Sequence, residues 1–214
     1  MSSPTRLILA RHGETEFNTK GIIAGRQPGV YLSERGIKDC EALRDSLAHI
    51  EFAAFYSSPL ERAIQTAEIV SQPRNLPIIP VPGVIEIKMD AWENQRRDWL
   101  YKHDKPWQDY HRNPVGVQIP RGEKIEDVAE RCWAAVCELR DRHPGETFFL
   151  ATHGECVRVI LCKATGLPLS QIFHLIVDTA SVAQIEFGAN HPRLIRHNWR
   201  AAQGKLPLAS SFNE

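Results

Sequence analysis

The chain has 214 residues, with 26 Lys+Arg balanced by 26 Asp+Glu. Zero net charge excludes the basic excess of a nucleic-acid binder, so an anion site would need a local concentration of positive charge. The five cysteines, Cys40, Cys132, Cys137, Cys156 and Cys162, are odd in number and include no Cys-x-x-Cys pair, which argues against a disulfide framework or a zinc knuckle.

Arg6 to Ala10 is short, apolar and followed by a glycine-containing loop, the pattern of a buried strand. That run is too short for a signal-peptide core or a membrane span, and no other segment approaches spanning length. The expectation is a soluble, cytoplasmic protein with reduced thiols. From Ser33-Glu34-Arg35-Gly36 a helix is expected, because Cys40, Leu43, Leu47 and Ile50 recur at spacings of three and four. Phe52 to Tyr56 predicts a second strand. Ser58-Pro59 predicts a helix start, with Ser58 as N-cap and Pro59 at the first helical position. Pro77 to Val81 predicts a third strand.

Residues 91–121 interleave Trp92, Trp99, Tyr101, Trp107 and Tyr110 with charged residues, punctuated by Pro106, Pro114 and Pro120. The segment reads as an inserted lid of short helices and loops. Helical spacing returns over 125–142, with Ile125, Val128, Ala129, Cys132, Val136 and Leu139 on one face. Thr147 to Thr152 is a strongly apolar strand, and a helix follows it to Gly166-Leu167-Pro168. Ser181 to Phe187 and Leu194 to Trp199 alternate as two further strands, joined by a Gly188-Ala189-Asn190 turn. The polar end, 201–214, is expected to fray. Alternating strands and helices predict a single three-layer α/β/α sandwich over 1–214 with a mostly parallel sheet. Active sites of such sheets form beyond the carboxyl ends of the strands.

Two segments meet that condition. Arg11-His12-Gly13-Glu14-Thr15 follows the first strand, and Thr152-His153-Gly154-Glu155 follows the strand at 147–152. Glycine after each histidine permits a tight turn and close approach of backbone to a ligand. The free N–H groups of a helix beginning beyond His153 would favour an anion. Residues 11–18, Arg-His-Gly-Glu-Thr-Glu-Phe-Asn, resemble the signature of the histidine phosphatase superfamily, the group of cofactor-dependent phosphoglycerate mutases and many phosphatases. The resemblance continues through Leu32-Ser33-Glu34-Arg35-Gly36, Ser57 to Ala67 and the His153 motif, covering roughly 6–200.

The resemblance implies His12 as nucleophile, with Arg11, Arg62 and His153 clamping the phosphoryl oxygens. Phosphoryl transfer depends on positioning and on neutralising those oxygens, and guanidinium groups bind them bidentately. Nearby cations would hold His12 unprotonated. Glu86 occupies the place of the family's acid, with Asp90 and Glu93 as alternatives. Thr15, Asn18 and Gly154 match substrate-binding positions. A metal held by His12, His153 and Glu86 would be opposed by the two arginines, so neither metal nor cofactor is expected.

Several positions depart from the family. Where relatives carry a glycine-rich stretch after the acid, this chain has Met89-Asp90-Ala91-Trp92-Glu93-Asn94. Pro120-Arg121-Gly122-Glu123-Lys124 adds two positive charges, read as solvated, and Glu155 replaces a small residue. A carboxylate there would repel a second anionic group or pair with an arginine. The insertion is shorter than mutase lids, which favours a phosphatase acting on a small phosphomonoester over a mutase. A binding module that has lost turnover is the reading from another class. The lid aromatics either cover a ring-bearing leaving group or pack a small core of their own. A homodimer is the base-rate expectation.

Overall fold

The computed structural model describes residues 3–188 and 191–208. Strand β1 (Thr5–Arg11) is followed by the short helix α1 (Glu16–Thr19) and by α2 (Glu34–Ser46). Then come β2 (Ala54–Ser57), α3 (Glu61–Ser71), β3 (Ile78–Pro80), α4 (Arg97–His103) and α5 (Lys105–Arg112). The chain continues through α6 (Ile125–Arg142), β4 (Thr147–Thr152), α7 (Gly154–Thr165), β5 (Val182–Phe187) and β6 (Pro192–Trp199). The six strands form one sheet in the order β3-β2-β4-β1-β5-β6. The three pairings among β3, β2, β4 and β1 are parallel; β5 and β6 add an antiparallel edge.

Alternation along β1 divides the interior. Leu7 and Leu9 join Phe148 and Leu150 beneath α6 and α7. Ile8 and Ala10 join Phe55, Phe149 and Ala151 beneath α2 and α3. With both faces covered, the central strands are apolar throughout, and all six residues of β4 are buried. The sequence-predicted sandwich and mostly parallel sheet are therefore present.

One local expectation changes, and two others meet new detail. Ser58 does not cap α3, whose N-cap is Leu60; the Ser58 hydroxyl is instead bound to His153. Second, residues 201–208 carry an anchor to the core. Ala201–Gln203 forms a 3-10 turn, and Leu206 is wholly buried beside Leu43, Leu47 and Trp199. One apolar side chain seats this polar segment, and its backbone bonds to Ser46 and His49 hold it. Residues 209–214, and Ala189-Asn190 of the expected turn, lie outside the described residues. Third, of the two readings open for the aromatics of 91–121, packing among themselves holds for three: Trp92, Trp107 and Tyr110 are buried, with Trp92 in ring contact with both, centroids 5.0 Å (Trp92–Trp107) and 5.6 Å (Trp92–Tyr110) apart.

Candidate active site

Strand register assembles the site. Arg11 pairs with Thr152 across β1 and β4, and Ser57 pairs with Ala151 across β2 and β4. The next residue of each strand, His12, His153 and Ser58, therefore emerges at the same sheet end. The ladder extends to them: the His12 N–H donates to Thr152 O at 2.9 Å, and the Ser58 N–H to Ala151 O at 2.9 Å. The two imidazole centroids lie 5.3 Å apart, and both rings are buried.

Hydrogen bonds set the protonation of each ring. His12 Nδ1 lies 2.7 Å from the Gly13 carbonyl, which can only accept, so the proton sits on Nδ1. Nε2 keeps its lone pair and receives Arg62 Nε at 3.3 Å. Burial, then the charges of Arg62 and Arg11, hold the His12 pKa well below its ordinary 6.5. His153 Nε2 lies 2.7 Å from Ser58 Oγ. The Ser58 hydroxyl hydrogen has no other acceptor among the described residues, so donating it to Nε2 satisfies it and puts the His153 proton on Nδ1.

Three buried donors around His12 have no acceptor among the described residues: Arg11 Nε, Arg62 Nη1 and His153 Nδ1. Each such group costs about 1–3 kcal/mol when left unpaired, so their convergence calls for an anionic ligand. One nitrogen of each guanidinium is fixed by a backbone carbonyl. Arg11 Nη1 donates to Val177 O at 2.6 Å, and Arg62 Nη2 to Gly25 O at 2.7 Å. Arg11 and Arg62 line a cavity of about 360 Å³ together with His12, Thr15, Asn18, Glu86 and Gly154. α7 opens at Gly154 with no side-chain cap on its first turn, leaving amide donors at the same place.

Glu86 is buried, with Oε1 accepting from the Ile87 N–H at 2.9 Å and Oε2 3.9 Å from His153 Nδ1. Burial, reinforced by the charge of Glu155, raises its pKa to about 7 against the pull of Arg62. The alternative acids are engaged elsewhere. Asp90 pairs with Arg121 and Lys88 at the surface. Glu93 accepts from the Arg26 N–H and from Gln27 Nε2, bracing the loop that carries Gly25. Neither lines the cavity.

Thr15 and Asn18 form a capping box on α1. Thr15 Oγ1 donates to Asn18 Oδ1 at 2.9 Å and accepts from the Asn18 N–H, so its hydroxyl is fully used within the cap. Asn18 Nδ2 has no partner among the described residues and is the donor this pair offers to the cavity. Sequence reasoning left the lid aromatics Tyr101 and Trp107 between a cover for the leaving group and a core, and did not name the rest of the distal wall: Arg97, which with Tyr101 lies on α4, His111, which with Trp107 lies on α5, and Arg158 and Phe173. The i, i+4 spacing of both helical pairs was the available signal. Glu155 also lines this wall and meets Arg158 at 3.4 Å. Burial opposes its ionisation, but Arg158, Arg11 and Arg97 outweigh burial and lower its pKa.

Residues 7–200 match the model of the histidine phosphatase superfamily, branch 1. The chain belongs to this superfamily. It is 29% identical to phosphoserine phosphatase 1 of Hydrogenobacter thermophilus, over 90% of this chain and 92% of that protein. It is 27% identical to the probable phosphoglycerate mutase GpmB of Cronobacter sakazakii, over 85% of each. The solved structure of Bacillus stearothermophilus YhfR superposes with a TM-score of 0.84 at 32% identity, covering 89% of this chain and 95% of that one. This superfamily member therefore resembles proteins named both as phosphatases and as mutases. Among its described residues no helix is long and apolar enough to cross a membrane, and no group of three or more His, Cys, Asp or Glu could hold a metal ion.

Proposed function

We propose that the protein hydrolyses small phosphomonoesters through a phosphohistidine on His12. The observation that carries this reading is the ring of three unpartnered donors around an unprotonated imidazole nitrogen. A phosphoryl group bound there would give each donor an oxygen and present its phosphorus to His12 Nε2.

In the first step the Nε2 lone pair forms the N–P bond and the bond from phosphorus to the ester oxygen breaks. The guanidinium groups of Arg11 and Arg62 and the His153 Nδ1–H neutralise the equatorial oxygens. The departing alkoxide takes the proton of Glu86, whose pKa of about 7 keeps much of it protonated near neutrality. In the second step water attacks phosphorus, gives a proton to the Glu86 carboxylate, and the N–P bond breaks to release inorganic phosphate. Protein cations supply the positive charge in both steps, so a chelator should leave turnover unchanged.

Hydrolysis of p-nitrophenyl phosphate in EDTA tests the reading, together with trapping of label from a radiolabelled phosphomonoester. The expected label is acid-labile, alkali-stable and absent from His12→Ala, which should also have lost turnover. Label retained in His12→Ala would overturn the assignment. Incubation with 3-phosphoglycerate separates hydrolase from mutase: isomerisation stimulated by 2,3-bisphosphoglycerate would replace the phosphatase reading.

A further inference from the structure

The backbone that carries Glu86 has little regular structure: a 3-10 turn at Pro82–Val84, then no regular element up to Asp90. Its carbonyls are nevertheless claimed one after another. Arg131, on α6, donates through Nη1 to Gly83 O at 2.9 Å and Ile85 O at 2.7 Å, and through Nη2 to Glu86 O at 3.3 Å. Arg26 donates through Nε to the same Glu86 carbonyl at 2.7 Å. Glu123 joins the two guanidiniums. Its Oε1 accepts from Arg131 Nε at 3.1 Å; its Oε2 accepts from Arg131 Nη2 at 3.1 Å and Arg26 Nη2 at 2.7 Å. The same Oε2 accepts the Lys88 N–H at 2.9 Å, and the Glu123 N–H returns to Lys88 O at 3.0 Å. Gly122 permits that approach, because a Cβ there would stand 2.2 Å from Lys88 O.

None of these three charged residues lines the cavity. Their side chains are only 21–28% exposed, and they bridge the end of the insertion, α6 and the loop after α1. Such a network is more than a surface ion pair, because every charge in it also holds a backbone group on one segment. That segment carries Glu86, whose Oε2 stands 3.9 Å from His153 Nδ1.

We propose that Arg131 and Glu123 are positioning residues, fixing the Glu86 carboxyl where it meets the leaving-group oxygen. This rests on the reading of Glu86 as general acid. Arg26 completes the network but directly follows Gly25, which holds Arg62, so its substitution would disturb the phosphate site as well. Arg131 acts on the acid segment directly, through its carbonyls, and Glu123 does so through the Lys88 N–H as well as through both guanidiniums. Lysine at 131 keeps the charge but lacks the planar fork that spans three carbonyls. Glutamine at 123 removes the charge joining the two arginines.

The test compares a simple alkyl phosphate with p-nitrophenyl phosphate. An alkoxide needs a proton to leave, whereas p-nitrophenolate is stable enough to leave without one, so misplacing the acid slows formation of the phosphohistidine only from the first. Its later hydrolysis uses Glu86 for both esters, so kcat/KM, which reports the steps through release of the alcohol, is the quantity compared. For Arg131→Lys and Glu123→Gln, kcat/KM on the alkyl ester should fall about ten-fold or more, with kcat/KM on p-nitrophenyl phosphate altered less than about three-fold. Glu86→Gln is the control and should show the same discrimination more strongly. Discrimination by Glu86→Gln but not by the other two overturns positioning and leaves the acid assignment standing. No discrimination by Glu86→Gln overturns the acid itself. Equal losses on both esters, or failure of both variants to fold, would make the network structural and overturn the proposal; if only Arg131→Lys fails to fold, Glu123→Gln decides.

Discussion

Glu86 combines burial with a protonation state that chemistry requires. Its pKa rises from the ordinary 4.5 to about 7, because burial and the charge of Glu155 both disfavour ionisation. The native state therefore holds a proton that the unfolded chain has released between these values. This group's stabilising contribution is complete below 4.5 and is lost as pH rises through 7. Glu86→Gln should be more stable than the parent at pH 8, by roughly 3 kcal/mol, with the gap closing as pH falls to 4.5. Urea unfolding at the two pH values measures it, and a gap of constant size would contradict the shift. The same titration predicts that kcat/KM for an alkyl phosphomonoester declines above about pH 7, and that Glu86→Gln loses this limb.

His12 and His153 have the opposite linkage. Burial, followed by the charge of Arg62, holds both pKa values well below 6.5. The unfolded chain takes up these two protons as pH falls below 6.5 while the native state does not, so their contribution is present above 6.5 and lost below it. Two imidazoles outweigh the one carboxyl. The unfolding free energy should therefore drop as pH falls below 6.5. A stability profile that instead rises as pH falls, as Glu86 alone would give, would show that the rings are protonated in the folded protein.

At the scale of elements, the loop after β1 is held by close backbone packing. Gly36, in the first turn of α2, lies against the backbone of the His12 loop, and a Cβ there would stand 2.1 Å from Glu14 O. A backbone carbonyl cannot rotate away as a side chain would. Ser33 adds to the junction, capping α2 at Gly36 N and meeting Glu14 Oε1 at 3.1 Å. Gly36→Ala should therefore cost about 1–3 kcal/mol and lower turnover by moving His12. A thermal melt and p-nitrophenyl phosphate kinetics measure both. Gly166→Ala provides the contrast: its φ of 75° strains a side chain, but no atom lies within 4 Å and the site is remote, so stability should fall with kcat intact.

At the scale of the whole molecule, the chain closes on itself through Leu206. The residue completes the core under α2, and its backbone bonds reach Ser46 and His49. Leu206→Ala should cost roughly 2–5 kcal/mol, as for other buried leucines, whereas a solvated tail would show no loss. Chemical denaturation distinguishes the two outcomes.

The strands, the long helices and the motifs around His12, Arg62, Glu86 and His153 were legible because each is written locally. A buried strand needs an apolar run, an amphipathic helix a repeating face, and a phosphate site its arginines and histidines. The residues of the distal wall were not legible, since a ring at i, i+4 reads the same whether it packs a core or faces a cavity. Ser58 has the local chemistry of a helix cap, but the approach of His153 across β4 gives its hydroxyl a different partner. Glu123 reads as one surface charge in a loop until folding brings Arg26 and Arg131 to it. By itself the sequence singled out the groups proposed to carry the chemistry. Tertiary structure decided their protonation, their partners and which carboxyl stands beside His153, because these depend on burial and on contacts between residues far apart in the chain.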